Sequence, residues 1–189
     1  MLRNWSLYLS LLLLTHCSHR KRDDPQPELP KDPLSLLPPE TAEGRGTMAC
    51  LVNGQAYWAL FSTSANGDLQ SPSRLALGGN LVLNGQRAAA QLSLIAALNG
   101  ELQNGQTFAP VSRATPFPLF TPGRDQFITA ATGDLACYYS GNFIKTGRVE
   151  LVKFDGVRRI AAGRFAFMLY EPGGCDTLRV TNGRFDVKF

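Results

Sequence analysis

Histidine is scarce in this chain of 189 residues: its two histidines, His16 and His19, both lie near the amino terminus. The region from residue 48 onward therefore cannot build a Ser-His-Asp or Cys-His arrangement, a histidine general base or a histidine-ligated zinc site. It also lacks a glycine-rich phosphate loop with its lysine, and no dinucleotide fingerprint follows a predicted strand. We therefore expect no cofactor. Carboxylate-pair chemistry, as in glycan hydrolases, is the common mechanism that remains.

Acidic residues are also few, with nine between residues 48 and 189. Most of them lie at predicted turns or beside Arg or Lys on the solvent-exposed (wet) face of a strand, where charged residues keep a protein soluble. The net charge of the chain is +4, and its basic residues alternate with acids instead of forming a long run. This composition predicts no nucleic-acid binding and favours a protein that is not an enzyme.

No apolar run is long enough for a membrane helix, which takes about 20 residues. The amino terminus instead has Arg3, a short apolar stretch at 7–14 and then Thr15-His16-Cys17. This order predicts a signal peptide at 1–16, and its end resembles a bacterial lipobox with Cys17 as the lipidated residue. His16 departs from the pattern, since a small residue usually precedes the cysteine. An ordinary cleaved leader and an uncleaved anchor are the alternatives.

The segment 17–47 contains six of the 12 prolines and few large apolar residues. Proline fixes φ and removes a backbone donor, so this composition predicts a disordered, extended tether. We expect the protein to be held in the cell envelope by its lipid, at an outer membrane. The charged run at 19–24 does not decide which face of that membrane it occupies.

The remaining region, 48–189, is long enough for one domain and is punctuated by Asn-Gly dipeptides. Both residues tolerate the positive φ that a tight type I′ hairpin turn requires. Their number predicts an all-β, antiparallel meander. The six dipeptides are Asn53-Gly54, Asn66-Gly67, Asn84-Gly85, Asn99-Gly100, Asn104-Gly105 and Asn182-Gly183.

Apolar and polar residues alternate between these turns, as in strands with one buried and one wet face. The segment 184–189 is the clearest case and places Asp186 on the wet face, while a parity switch near Val152 predicts a bulge. The segment 88–98 is rich in helix formers, but its centre alternates and we predict a strand. Roughly eight to ten strands form a single sandwich or small barrel. They are expected at 49–52, 56–61, 74–83, 88–98, 126–131, 135–140, 149–154, 163–170 and 184–189.

Aromatic residues near loops are the candidates for ligand contact, because a β domain presents loops from a rigid frame and flat rings suit sugars. One residue of a tyrosine pair on a strand must face inward. The stretch 109–124 carries four prolines and predicts a long loop. The candidates are Tyr138, Tyr139, Phe117, Phe120 and Phe143.

Cys50, Cys137 and Cys175 remain if Cys17 carries lipid. Two of them are expected to pair in an oxidising compartment, and a pair that includes Cys175 is favoured because its turn context gives it conformational freedom. Either Cys50–Cys175 or Cys137–Cys175 would close a long loop, and three unpaired thiols are the alternative. No two of these cysteines are close in sequence, so no metal site is predicted.

The two ends of the domain carry a resemblance. The opening residues 48–58, Met-Ala-Cys-Leu-Val-Asn-Gly-Gln-Ala-Tyr-Trp, and the closing residues 183–186, Gly-Arg-Phe-Asp, resemble a family of secreted Bacteroidota lipoproteins of unknown function. The resemblance implies an envelope location and a β fold, and it implies no activity. We expect a binding or interaction module whose partner is a glycan or an envelope protein. A structural envelope component and a carboxylate-dependent glycan hydrolase are the alternatives.

Overall fold

A computed structural model describes residues 32–85, 91–109, 127–132, 137–139, 144–172 and 175–189. Their regular structure is one short 3-10 helix, Pro33–Leu36, and eleven strands. The strands are β1 (Thr47–Val52), β2 (Gln55–Trp58), β3 (Ala65–Ser71), β4 (Arg74–Leu83), β5 (Gln91–Asn99), β6 (Thr107–Phe108), β7 (Phe127–Thr132), β8 (Tyr138–Tyr139), β9 (Ile144–Asp155), β10 (Ile160–Glu171) and β11 (Cys175–Lys188).

All eleven strands belong to one antiparallel sheet, which confirms the all-β prediction. The strand order is β6-β9-β10-β11-β1-β2-β4-β5-β7-β8, and β3 pairs with β4 off this path. The sheet is continuous and curled, since β8 approaches β10 and β3 approaches β11 across it. The first and last strands of the domain, β1 and β11, are direct neighbours. Their pairing places the amino-terminal and carboxy-terminal segments side by side.

The inner face of the curled sheet holds the main hydrophobic core. Alternate residues of β1, β4, β9, β10 and β11 point into it, as the period-two pattern requires. Aromatic rings fill part of this space: those of Phe154 and Phe189 stack with centroids 5.3 Å apart. The residues with the largest fully buried apolar side chains are Met48, Leu75, Leu81, Leu98, Val149, Leu151, Leu169, Val180 and Val187.

Two irregularities shape the central strands. In β9 the register against β10 shifts between Leu151 and Lys153, which confirms the bulge predicted at Val152. In β11 the register shifts against both neighbours around Asn182, whose φ is 52°. The prediction of a hairpin at Asn182-Gly183 is therefore wrong. The left-handed residue makes a bulge inside a long strand.

The other Asn-Gly pairs have several roles. Asn53-Gly54 forms the turn between β1 and β2, with φ values of 48° and 84°, as predicted. Asn66-Gly67 instead lies inside β3, so a turn there is wrong. The Cα of Gly67 comes close to β11, and an added Cβ would lie 3.0 Å from Cβ of Phe189. Close approach of two strands explains this glycine, since it has no side chain to separate them.

Two strands have no counterpart in the predictions, β3 and the two-residue β6. In β6, Thr107 pairs with Glu150 of β9. The turn at Asn104-Gly105 precedes it and docks on the same strand: the side chain of Asn104 accepts a hydrogen bond from the Phe154 backbone N–H at 2.6 Å. This turn therefore supports the bulged part of β9 and does not join two hairpin strands.

The tether prediction is wrong for residues 32–46, which we call the strap. The strap contains the 3-10 helix and lies against the outer face of the sheet, where Leu37 is buried with Ala49 and Ala56. Long-range hydrogen bonds to β11 hold its second half. The remainder of the predicted tether and the signal peptide, 1–31, lie outside the described residues, as does nearly all of the predicted loop 109–124.

Within the described part of the chain, no helix has the length and apolar character needed to cross a membrane.

Candidate functional site

The strap is fastened to the sheet through Asp186 of β11. This side chain lies on the outer face yet is only 1% exposed, because the strap covers it. Its carboxylate accepts a hydrogen bond from the Thr41 hydroxyl at 2.6 Å and from the Gly44 N–H at 2.6 Å. The backbone N–H groups of Glu43 and Arg45 donate at 3.1 and 3.3 Å. The predicted wet-face position of Asp186 is therefore wrong.

Two glycines allow the strap to wrap around this carboxylate. Gly44 and Gly46 have φ values of 76° and 70°, in the left-handed region that favours glycine. At Gly46 an added Cβ would collide with the backbone of Ser62. These residues turn successive N–H groups toward one point, and a carboxylate is the acceptor that satisfies several donors at once.

The donors around Asp186 also set its ionisation. Burial alone works to raise the pKa of the carboxyl, but the Thr41 hydroxyl and the three backbone N–H groups favour the charged form. The net result is a pKa below its usual value. Asp186 is therefore an ionised carboxylate, and both of its oxygens accept hydrogen bonds from the strap.

Further polar contacts run along the strap. The Arg184 Nη1 donates to the Pro38 carbonyl at 2.8 Å, and the Lys153 Nζ donates to the Ala42 carbonyl at 2.8 Å. Glu40 and Arg164 form an exposed ion pair at 2.8 Å. The Arg164 hydrogen bond to Glu40 lowers the pKa of that carboxyl. An exposed pair of this kind contributes at most about 1 kcal/mol, so the buried contacts dominate.

A groove of about 230 Å³ lies between the strap and the outer face of β9, β10 and β11. We call it the strap groove, and two carboxylates, Glu40 and Asp186, line it. A glycan hydrolase needs one carboxyl group with a raised pKa to act as general acid. Both pKa values here are lowered and both groups already have partners. This pair therefore does not fit acid–base catalysis.

A second groove, of about 310 Å³, lies on the outer face of the same three strands, and we call it the arginine groove. Arg148 of β9 and Arg179 of β11 stand on either side of it, and both side chains are exposed. Thr146 and Thr181 extend its two walls. The half-buried Met168 of β10 and its neighbour Ala166 form the floor.

Neither arginine of this groove takes part in an ion pair within the described ranges. The backbone of Arg179 is paired with Asn53: its N–H donates to the Asn53 Oδ1, and its carbonyl accepts from the Asn53 N–H, both at 2.9 Å. Glu150 lies two residues after Arg148 on the same face of β9, opposite Arg164 of β10, and it forms no ion pair with Arg148. The groove therefore presents two exposed arginines, which form no ion pair with a described residue, over a small apolar floor. The sequence prediction missed it, since both arginines occupy ordinary wet-face positions.

One of the aromatic residues that we predicted to contact a ligand is buried. Tyr139 is only 4% exposed and belongs to the main core, so the prediction of a ligand contact is wrong for it. It is the inward residue of the tyrosine pair. The backbone of Tyr138 lies in β8, but its side chain is not described. Phe117, Phe120 and Phe143 lie outside the described residues.

Cys50 lies in the main core and the half-buried Cys137 packs against that core. Cys50 is a free thiol in the inner core, so the candidate pair Cys50–Cys175 is wrong. Burial raises the pKa of Cys50 to about 12, which makes it inert at neutral pH. The Cys175 backbone begins β11, its side chain is not described, and Cys17 lies outside the described residues.

No group of three or more His, Cys, Asp or Glu residues that could hold a metal ion occurs in the described ranges. The chain was compared with protein-family models, with curated proteins and with solved structures, and none of the three comparisons gave a match.

Proposed function

We propose that this chain is a cell-envelope lipoprotein whose β domain is a binding module. The observation that carries the proposal is the arginine groove: an open surface over β9, β10 and β11 with two exposed arginines that form no ion pair with a described residue. Regular strands fix the backbone positions from which such side chains extend, which suits recognition. The acids of the strap groove, in contrast, are engaged in holding the strap. We therefore propose no catalytic role.

The envelope location rests on the amino terminus. A basic start, a short apolar stretch and Thr15-His16-Cys17 support export and lipid attachment at Cys17. The likeness of residues 48–58 and 183–186 to secreted Bacteroidota lipoproteins supports the same location, at an outer membrane. The proposed partners are the membrane, through the lipid, and a glycan or envelope protein, through the domain.

The test of this proposal is a fractionation experiment with Cys17→Ser. In the native host, the unsubstituted protein is expected in the membrane fraction, resistant to high salt and released by detergent. Cys17→Ser should shift it to a soluble extracytoplasmic fraction, because the attachment point is lost. Cys50→Ser serves as the matched control, since that thiol is buried in the core. Equal membrane retention of wild type and Cys17→Ser would contradict the proposal.

We also propose that Cys137 pairs with Cys175. Two observations support this pair: Cys137 is disulfide-bonded, and Cys50 is a free thiol. The bond would join the residue that precedes β8, at one end of the sheet order, to the start of β11, and β8 approaches β10, the neighbour of β11. Peptide mapping without reduction is expected to recover a linked peptide containing both residues. Recovery of both as free thiols would contradict the pairing.

A further inference from the structure

We propose that the arginine groove binds an acidic polysaccharide, through carboxylate or sulfate groups and sugar hydroxyls. This inference rests on the proposed function as a binding module and names its ligand class.

The first argument is the placement of the two arginines. In register, Arg148 lies opposite Ala166, and Arg179 lies opposite Met168, on the two strands that flank β10. Neighbouring strands are about 4.8 Å apart and each residue rises about 3.4 Å, so two strand spacings and a two-residue offset separate the arginine backbones by roughly 12 Å. Two flexible side chains at this separation can reach acidic groups on one short segment of a chain molecule.

The second argument is charge. Arginine binds carboxylate and sulfate-like groups through paired N–H donors, and such bonds are stronger than neutral ones. Among the described residues, no acid forms an ion pair with Arg148 or Arg179. An anionic ligand would therefore gain contacts without breaking an internal pair.

The third argument favours a sugar chain over other anions. Thr146 and Thr181 supply hydroxyl groups that both donate and accept, as sugar hydroxyls require. Met168 offers an apolar floor. Tyr170 lies just beyond the residues that line the groove, two positions after Met168 on β10, and is 39% exposed. An exposed tyrosine beside polar groups is a platform on which a pyranose ring can stack.

The strand environment disfavours two other anionic ligands. A free phosphate is usually held by unpaired backbone N–H groups at a loop or helix end, whereas those of β10 are committed to the ladders with β9 and β11. An extended acidic peptide would need a free strand edge, and β10 has a neighbour on both sides.

The experiment is a binding titration of the full-length chain with three oligosaccharides of equal length. One carries uronic acids, one carries sulfates and one is neutral, and the same detergent is present in every arm. Wild type should bind at least one acidic probe, more weakly as salt rises, and the neutral probe at least tenfold more weakly, because it offers no charge to the arginines. The preferred acidic probe identifies the charged group.

Substitutions in and beside the arginine groove test whether the acidic probe binds there. Arg148→Gln with Arg179→Gln should weaken acidic binding about tenfold or more, and Tyr170→Ala should weaken it several-fold. The matched control is Arg158→Gln with Arg159→Gln, which removes the same charge from an exposed turn between β9 and β10 and should change affinity less than twofold. Equal weakening by both pairs, or binding of no acidic probe, would overturn the proposal.

A thermal unfolding curve of the Arg148→Gln, Arg179→Gln variant shows whether that variant is folded. If it is not folded, NMR titration of the wild-type protein decides: backbone signals of Thr146, Ala166 and Thr181 should shift with the acidic probe, while those of the strap should not. Shifts confined to other residues would overturn the proposal. These measurements do not depend on membrane attachment, so a failed Cys17 test and a failed binding test remain distinguishable.

Discussion

Replacement of Asp186 by Asn tests directly how the strap is held. The two side chains have nearly the same size, so packing on the outer face is conserved. The substitution removes the negative charge and replaces one carboxylate oxygen with an N–H donor. Four donors, the Thr41 hydroxyl and the N–H groups of Glu43, Gly44 and Arg45, then compete for one oxygen. At least one donor would face the new amide NH₂ group.

The expected cost follows from these contacts. Hydrogen bonds to a charged group contribute about 1.5–3 kcal/mol each, and a buried donor without a partner costs about 1–3 kcal/mol. The strap can limit this cost by leaving the sheet and hydrating its N–H groups. We therefore expect a loss of about 2–4 kcal/mol in the free energy of unfolding, and not the sum of four bonds. For a domain of this size that lowers Tm by roughly 5–15 °C.

The difference should depend on pH. Because the pKa of Asp186 is lower in the folded protein than in the unfolded chain, its contribution is complete above the unfolded pKa of about 3.9. The contribution is lost as the pH falls through the folded pKa. The stability gap between wild type and Asp186→Asn should therefore be constant near neutral pH and narrow below pH of about 4.

Urea unfolding and trypsin cleavage after Arg45 measure this effect separately. Cleavage should be slow in wild type, because the backbone of Arg45 is held at Asp186, and fast in Asp186→Asn. Asp155→Asn is the control: its carboxylate also accepts two backbone N–H groups, at a more exposed turn, and should cost less than about 1 kcal/mol. If Asp186→Asn were as stable as wild type in urea and were cleaved after Arg45 as slowly as wild type, the proposed role of Asp186 would be refuted.

Three further substitutions or treatments have defined outcomes. Gly163→Ala should lower the free energy of unfolding by about 1–3 kcal/mol or more, because the new Cβ would collide with the Glu150 carbonyl across β9; unchanged urea unfolding would contradict this. Cys50 should resist a thiol reagent at pH 8 until the protein unfolds, as its raised pKa and full burial require, and rapid labelling of the native protein would be the opposite result. Arg164→Gln should change stability by less than about 1 kcal/mol, since its ion pair with Glu40 is exposed.

Local pattern was sufficient to predict most of the sheet. The segment 74–83 was predicted with the bounds that the structure gives it, and β5 forms despite its helix-favouring residues because β4 and β7 pair with it on both sides. The parity switch at Val152 correctly marked a bulge. These features are determined by the alternation of neighbouring residues, which the sequence displays directly.

Features made by distant residues were missed. Asn182-Gly183 satisfies the rule for a hairpin, but whether positive φ makes a turn or a bulge depends on the pairing of β11 with β1 and β10. Asp186 has the spacing of a wet-face residue, and its donors lie more than 140 positions away. Proline content correctly indicated that residues 32–46 lack regular strands, but it contained no information on the buried contacts that hold them.

The candidate site was beyond prediction for the same reason. Arg148 and Arg179 are ordinary charged residues in their own strands, and they come together only because β10 lies between β9 and β11. The predicted aromatic candidates were chosen for their proximity to loops, whereas Tyr170 lies within a strand. A rule that paired exposed arginines across predicted neighbouring strands could have found the groove.

We propose that this β domain is held in the cell envelope by lipid on Cys17. Mass spectrometry of the protein purified from native-host membranes tests it most directly. We expect a mature chain that begins at Cys17 and carries the mass of two or three acyl chains, with a further increase of about 2 Da on reduction of one disulfide. An unmodified Cys17, or a chain that retains residues 1–16, would contradict it.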